Sequence, residues 1–265
     1  MTEISFKPKI ILIGAAGRMG KTIGSRFLND GIVDYVGAID ASEVGTPVGK
    51  LVNSAIDGPI IRSSPGDFPE NLEADMVLDF STASAARNNL EPCLRRGWNY
   101  IIGATGFFEE DHMSMQLLAK KYSRRIVLVP NFTLGVNLML RFVQDAARIY
   151  ENVEIIELHH DKKVDAPSGT AYQTAHLIAE AGMSASPPNA EDKSRGKVIK
   201  NIPIHAVRLP GLLAHQEVLF GGEGEVLTIR HDTTDRNAFL GGIYLAIRKL
   251  PELNPGLTFG LDWAL

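Results

Sequence analysis

Short β-branched runs alternate with helical stretches through the first half of the chain. Lys9–Ile13 reads as a strand, Gly20–Asn29 as a helix and Asp34–Ile39 as a second strand. Asp75–Phe80 (DMVLDF) is another strand, followed by a helix over Ser84–Arg96. Tyr100–Gly103 and Arg125–Pro130 continue the series, with a helix over Glu109–Ser123 between them. Apolar strands separated by helices predict a parallel sheet covered on both faces. The second half has a different order. A helix near Gly135–Tyr150 precedes the strand Val153–Leu158, and Thr170–Ala181 is a further helix. Ile202–Arg208, His215–Phe220 and Glu225–His231 then follow as strands. Gly221-Gly222-Glu223-Gly224 between the last two is a hairpin signal. This half is expected to be an antiparallel or mixed sheet with helices on one face. Ser184–Lys200, with Pro187-Pro188 and many charges, reads as an exposed excursion. The closing helix, Gly242–Leu250, is expected to return to the first domain.

At 265 residues, the chain exceeds the usual size of a single core, so two domains are expected. A formal charge of -4, with acidic and basic residues mixed along the chain, offers no basic face for nucleic acid. The apolar run Ile10–Ala16 is too short to span a bilayer, and Met1–Lys9 lacks the pattern of a signal peptide. A single cysteine, Cys93, cannot form an intrachain disulfide and reads as a small core residue. These features predict a cytoplasmic protein with neither membrane nor nucleic acid as partner.

The junction of the first strand and first helix carries Gly14-Ala15-Ala16-Gly17-Arg18-Met19-Gly20. Glycine here permits a tight turn, close approach of backbone to a pyrophosphate and close helix–strand packing. The helix N-terminus then offers N–H groups and a positive dipole end to phosphates. Asp40 closes the second strand, where a carboxylate accepts hydrogen bonds from adenosine ribose hydroxyls. Strand, glycine turn, helix and aspartate together indicate a Rossmann-type dinucleotide site. Asp40 also repels the 2′-phosphate of NADPH, and Ala41 beside it supplies no compensating charge, so NADH is the expected preference. Arg18 is the residue that would partly offset this for NADPH. Gly103-Ala104-Thr105-Gly106-Phe107 follows a later strand, either facing the same crevice or forming an ordinary strand-to-helix turn.

The densest chemistry lies in His159-His160-Asp161-Lys162-Lys163-Val164-Asp165-Ala166-Pro167-Ser168-Gly169-Thr170. Asp165 or Ser168 would cap the following helix, whose start would present the N–H groups of Gly169 and Thr170. With His160 and Lys163, this makes a site for a carboxylate-bearing ligand. Histidine also exchanges protons near neutral pH. Paired histidines at a strand end and paired lysines are elsewhere ordinary surface features, but here they share one short string. Neither a cysteine pair nor an HExxH spacing is present to suggest a metal site.

With these motifs in order along nearly the whole chain, the sequence resembles the 4-hydroxy-tetrahydrodipicolinate (dihydrodipicolinate) reductase family. The matching pieces are GAAGRMG (Gly14–Gly20), LDFST (Leu78–Thr82), GATGF (Gly103–Phe107) and PNFTLGVN (Pro130–Asn137). ELHHDKKVDAPSGTA (Glu157–Ala171) and the stretch His205–Lys249 complete them. The resemblance implies an NAD(P)H-dependent reductase of lysine and diaminopimelate biosynthesis, acting on a small dicarboxylate as a homotetramer. It implies an α/β fold: a Rossmann-type domain over residues 1–132 with 241–265, and a smaller α+β substrate-binding and oligomerisation domain over 133–240, joined by hinges. Gly14, Ala15, Ala16, Gly17, Arg18, Met19 and Asp40 would hold the nucleotide. Gly103, Ala104 and Thr105, with Val129, Pro130, Asn131 and Phe132, would flank the nicotinamide. His160, Lys163, Ser168, Gly169 and Thr170 would bind substrate, with Arg236 as a further carboxylate contact. His159 and Lys163 would be the acid–base pair. Ala104 departs from the threonine common in the family, and Ala41–Ser64 matches the pattern only loosely. Other two-domain dehydrogenases of amino-acid metabolism, acting on aspartate or homoserine, and a non-catalytic nucleotide sensor would share the first domain but would not require the His159–Thr170 string.

Overall fold

The computed structural model describes residues 7–183 and 193–265. The chain begins with β1 (Lys9–Ile13), α1 (Arg18–Asp30), β2 (Asp34–Ile39), a one-turn α2 (Val48–Leu51) and β3 (Ile61–Arg62). β4 (Met76–Asp79), α3 (Ala83–Arg95), β5 (Asn99–Ile102), α4 (Glu109–Tyr122) and β6 (Arg125–Leu128) follow. Then come α5 (Leu134–Ala147), β7 (Asn152–His159), α6 (Gly169–Glu180), β8 (Lys197–Ile199), β9 (Ile202–Arg208), β10 (Ala214–Gly222) and β11 (Glu225–Thr233). The chain closes with α7 (Ala238–Lys249) and β12 (Gly256–Phe259). Two compact units result. One comprises the described part of Met1–Phe132 with Phe239–Leu265, and the other is Thr133–Ala238.

The first unit is the expected Rossmann-type sheet, with all seven strands parallel in the order β12-β6-β5-β4-β1-β2-β3. Its central strands are apolar because both faces are covered. Leu90 and Leu94 of α3 and Met115 and Ala119 of α4 share one core with Ile11, Val77, Tyr100 and Ile126. Each large apolar side chain so buried contributes about 1.5–3 kcal/mol. Cys93, also in this core, is a buried free thiol whose pKa burial pushes up. The returning segment is part of the unit: Tyr244 of α7 donates to Asp30 at 2.8 Å, and β12 pairs with β6.

The second unit holds a mixed sheet ordered β11-β10-β7-β9-β8, in which only β7 and β9 are parallel. Val136, Met139 and Val143 of α5 and Ala171, Ala175 and Ile178 of α6 cover one face, against Ile155, Ile204, Val218 and Phe220. Along β7, alternate residues Val153, Ile155 and Glu157 are buried on that face. A carboxylate thus occupies an inward position between Ile155 and His159.

Several elements differ from expectation. α1 starts at Arg18, so Gly20 lies inside the helix and not at its head. α7 starts at Ala238, four residues early. The hairpin turn uses only Glu223 and Gly224, since Gly221 and Gly222 pair within β10. Residues 184–192 of the expected excursion lie outside the described residues, but Lys197–Ile199 forms the edge strand β8. Exposed Lys197 and Val198 give that strand no inward–outward alternation to read. β3 and β12, at the opposite edges of the first sheet, have only two and four residues and were equally illegible. Among the described residues, no helix is long and apolar enough to cross a membrane.

Candidate active site

In the first sheet, β1 lies between β2 and β4, and the chain order reverses there. Ligands of open parallel sheets bind at this crossing, beyond the carboxyl ends of the strands. The chain leaves β1 at Gly14 with φ +80°, and a Cβ there would lie 2.8 Å from the Phe80 carbonyl carbon. A Cβ on Gly103 would meet the Phe80 ring at 2.6 Å. Gly17 caps α1 with no side-chain hydrogen bond, leaving the head of the helix open to an anion. A cavity of about 580 Å³ opens at this point, lined by Gly14, Gly17 and Asp40 and by Ser63, Ser81, Thr82, Asn88 and Asn89 among others. A glycine cradle, an uncapped helix and a cavity of this size fit a dinucleotide.

Asp40 stands in the wall of that cavity. Its Oδ2 accepts from the Ala16 amide at 2.9 Å, and its Oδ1 accepts from the amide and hydroxyl of Ser42, both at 2.9 Å. The amide of Ala15 donates to the Ile39 carbonyl, and its side chain is fully buried. The first-strand turn therefore spends the amides of Ala15 and Ala16 on its own structure. Arg18 is exposed and Met19 half-buried. Gly103, Ala104 and Thr105 follow β5, and Val129, Pro130, Asn131 and Phe132 follow β6, at the same sheet edge but outside the cavity lining. Ala104, Val129 and Phe132 are buried, and the rings of Phe80 and Phe132 lie 5.2 Å apart.

The β4 end carries the LDFST motif, whose carboxylate had no role assigned from the sequence. Asp79 is buried there, accepting from the Tyr100 hydroxyl at 2.6 Å and from the amide and hydroxyl of Ser81 at 2.8 and 2.5 Å. Burial raises its pKa above the usual carboxylate range. Asp79 thereby shapes the Ser81–Thr82 wall of the cavity. The visible signal was an acidic residue inside an otherwise apolar strand, MVLD.

In the second unit, β7 ends at His159 and α6 begins at Gly169. Ser168, not Asp165, caps α6: its hydroxyl accepts from the Ala171 amide at 3.2 Å. Ser168 is buried, and its own amide donates to Glu157 at 3.1 Å, so its contacts are internal. The Lys163 ammonium sits 2.7 and 2.9 Å from the two oxygens of Asp165 and holds that carboxyl below its ordinary range. The Lys163 amide donates to the His160 carbonyl, closing a turn that gathers both residues behind His159. Thr170 is half-buried in the first turn of α6, where its carbonyl accepts from the Thr174 hydroxyl. Gly169 is exposed, with open space where a Cβ would stand. Arg236 is exposed beyond β11, and none of the cluster's hydrogen bonds involves it among the described residues.

The residues that organise this cluster were not singled out by the sequence. Glu157 is fully buried and receives a bidentate pair from Arg208 of β9, at 2.7 and 2.8 Å. Nδ1 of His159 lies 2.5 Å from Glu157 Oε2. Burial pushes the Glu157 carboxyl up, but hydrogen bonds and charge from His159 and Arg208 outweigh this and bring it down to about 2. Because its pKa is depressed on folding, Glu157 contributes stability above the ordinary carboxylate value, and that contribution is lost as pH falls from about 4.5 toward 2. The urea midpoint of the wild-type protein should therefore fall across that window more steeply than that of a Glu157→Gln variant. Parallel curves for the two proteins would refute the assignment.

Comparison with known proteins identifies the family of the chain. Family models described as dihydrodipicolinate reductase, N-terminus and C-terminus, match residues 8–132 and 135–265. The 4-hydroxy-tetrahydrodipicolinate reductase of Moorella thermoacetica is 41% identical over 258 residues, covering 96% of each chain. That of Geobacillus thermodenitrificans is 40% identical, covering 97% of this chain and 98% of its own. A solved dipicolinate-bound dihydrodipicolinate reductase from Paenisporosarcina sp. TG-14 superposes with a TM-score of 0.85 at 33% identity, over 98% of this chain and all of the other. Similarity at this level over both units sets aside the aspartate and homoserine dehydrogenase readings, and the chain belongs to the dihydrodipicolinate reductase family.

Proposed function

We propose that this protein reduces 4-hydroxy-tetrahydrodipicolinate, after loss of water, to tetrahydrodipicolinate, using NAD(P)H with a preference for NADH. The observation that carries this reading is that Glu157 joins His159 to Ser168, the cap of α6, with His160 and Lys163 in the segment between them, in a chain of this family. The relative from Paenisporosarcina holds dipicolinate, a ring diacid of the shape this cluster suits.

His160, Lys163 and the amides of Gly169 and Thr170 would grip the two carboxylates. Ser168 supports that grip as the cap of α6, and Arg236 is a further carboxylate contact. The cationic groups serve twice: they neutralise the bound diacid, and they stabilise negative charge that develops on it during reduction. Bound NAD(P)H supplies the hydride. A proton balances the charge at the other end of the conjugated system, delivered by His159 or by Lys163 once substrate draws its ammonium from Asp165.

On the nucleotide side, Gly14, Gly17, Arg18 and Met19 would cradle the pyrophosphate, with Ala15 and Ala16 holding the turn in shape and Asp40 on the ribose. Gly103–Thr105 and Val129–Phe132 would flank the nicotinamide. Asp40, fixed by three donors in the cavity wall, would accept from ribose hydroxyls and repel a 2′-phosphate. Supplying freshly made substrate from pyruvate and aspartate semialdehyde with the preceding synthase, and following oxidation of each nucleotide, tests both readings. Oxidation of NADH with the higher kcat/KM is expected. No oxidation of either nucleotide would defeat the function, and equal efficiencies would defeat the preference.

The chain is read as cytoplasmic and homotetrameric. The face of the five-stranded sheet away from α5 and α6 supports the second point, since Ile156, Leu158 and Leu219 lie on it only half-buried. Sedimentation of the intact protein measures the assembly directly, and a monomer would refute it.

A further inference from the structure

We propose that Glu157, clamped by Arg208, is the positioning residue for His159: a carboxylate that holds the proton on Nδ1, so that Nε2 takes up a second proton from solvent and, as imidazolium, delivers it to substrate and returns to the neutral Nδ1–H form. The inference rests on the acid–base role of His159 proposed above and adds the group through which that role is set.

Every acceptor position of the carboxylate is occupied. Oε1 accepts from the Ser168 amide and from Arg208 Nη2, and Oε2 faces Arg208 Nη1 and His159 Nδ1. Its low pKa leaves Glu157 ionised near neutrality, so it has no proton to donate. The hydrogen on the 2.5 Å contact must then sit on Nδ1. Tautomer control of this kind is how a buried carboxylate prepares a histidine for proton transfer at its other nitrogen.

Arg208 is anchored in turn, donating from Nη2 to the Asp165 carbonyl at 2.7 Å. Glu157 therefore joins β7, β9, the Lys163–Asp165 turn and the first residue before α6. The orientation of His159 and the place of the substrate-binding helix start are set by one group. Stability alone is a poor reason for such an ion pair, because a buried pair is often replaceable by apolar residues at no cost. Val153 and Ile155 occupy the equivalent inward positions of β7 in just that way.

The test uses protein labelled with 15N at histidine, with His159 assigned by the peak lost in His159→Gln. In the wild-type protein, neutral His159 should show a protonated Nδ1 and a bare Nε2. In Glu157→Gln, the amide oxygen should keep the Ser168 amide and Arg208 Nη2, so that its nitrogen donates to Nδ1 and the tautomer protonated on Nε2 should predominate. In the steady state, Glu157→Gln should lower kcat by about a hundredfold, the scale of general acid–base catalysis, with KM for substrate changed less than about twofold, because the glutamine oxygen still accepts from the Ser168 amide and keeps the helix start in place. Introduced into the His159→Gln protein, the same substitution should lower kcat no further. A neutral wild-type imidazole protonated on Nε2 and bare on Nδ1 would overturn the proposal, and that measurement needs no variant other than the assignment control. An equal loss from Glu157→Gln in both backgrounds would also overturn it, as the mark of a merely structural part. The nitrogen spectrum is independent of turnover, so a protein inactive on the diacid would sink the function and leave the tautomer result standing.

Discussion

A His159→Gln enzyme is expected to lose about a hundredfold or more in kcat while still binding dipicolinate. General acid–base catalysis contributes on the order of 10²–10⁴ to rate, and glutamine cannot exchange a proton near neutral pH. Binding should survive because His160, Lys163 and the start of α6 are untouched. The fold should survive too: Glu157 keeps its Arg208 pair and the Ser168 amide when the imidazole is removed. Steady-state kinetics with calorimetric titration of dipicolinate separates the effects. A folded variant with near-normal kcat would remove His159 from the acid–base role and leave Lys163 as the donor.

Gly20→Ala should produce the second large effect, and with a sign opposite to helix propensity. Alanine inside a helix ordinarily gains roughly 0.5–1 kcal/mol over glycine. Here its Cβ would fall 1.9 Å from the Gly14 carbonyl oxygen and 2.8 Å from backbone atoms of Ala15. No flexible side chain is there to yield, so α1 must move away from the glycine turn. Overpacking of this kind costs about 1–3 kcal/mol, which exceeds the propensity gain. The head of α1 moves with it, so KM for NADH should rise by about tenfold or more, the equivalent of roughly 1.4 kcal/mol of lost binding. Thermal unfolding and nucleotide titration read the two parts. A variant as stable as the wild type, with unchanged KM, would show that the close contact is not needed.

The parts legible in the sequence share one property: they are written in neighbouring residues. The strand and helix order of the first unit follows from apolar runs and their spacing, and the glycine turn from steric rules at Gly14, Gly17 and Gly20. The cluster from His159 to Thr170 is contiguous, so its chemistry could be listed before its shape was known. Its internal use could not. Ser168 spends its hydroxyl on the α6 cap, and Lys163 holds Asp165, because local geometry decides which polar group satisfies which neighbour.

Pairings between distant residues were decided only by the tertiary structure. Glu157 and Arg208 stand 51 residues apart and meet because β7 and β9 run parallel, with His159 opposite Arg208. Phe80 closes on Gly14 and Gly103 because β4 lies between β1 and β5. Amino-acid order thus determined the elements, the nucleotide-binding turn and the inventory of reactive groups, through steric and periodic rules acting over a few residues. Strand register and sheet order determined which of those groups touch, because such contacts depend on the simultaneous burial of segments that carry no local record of one another.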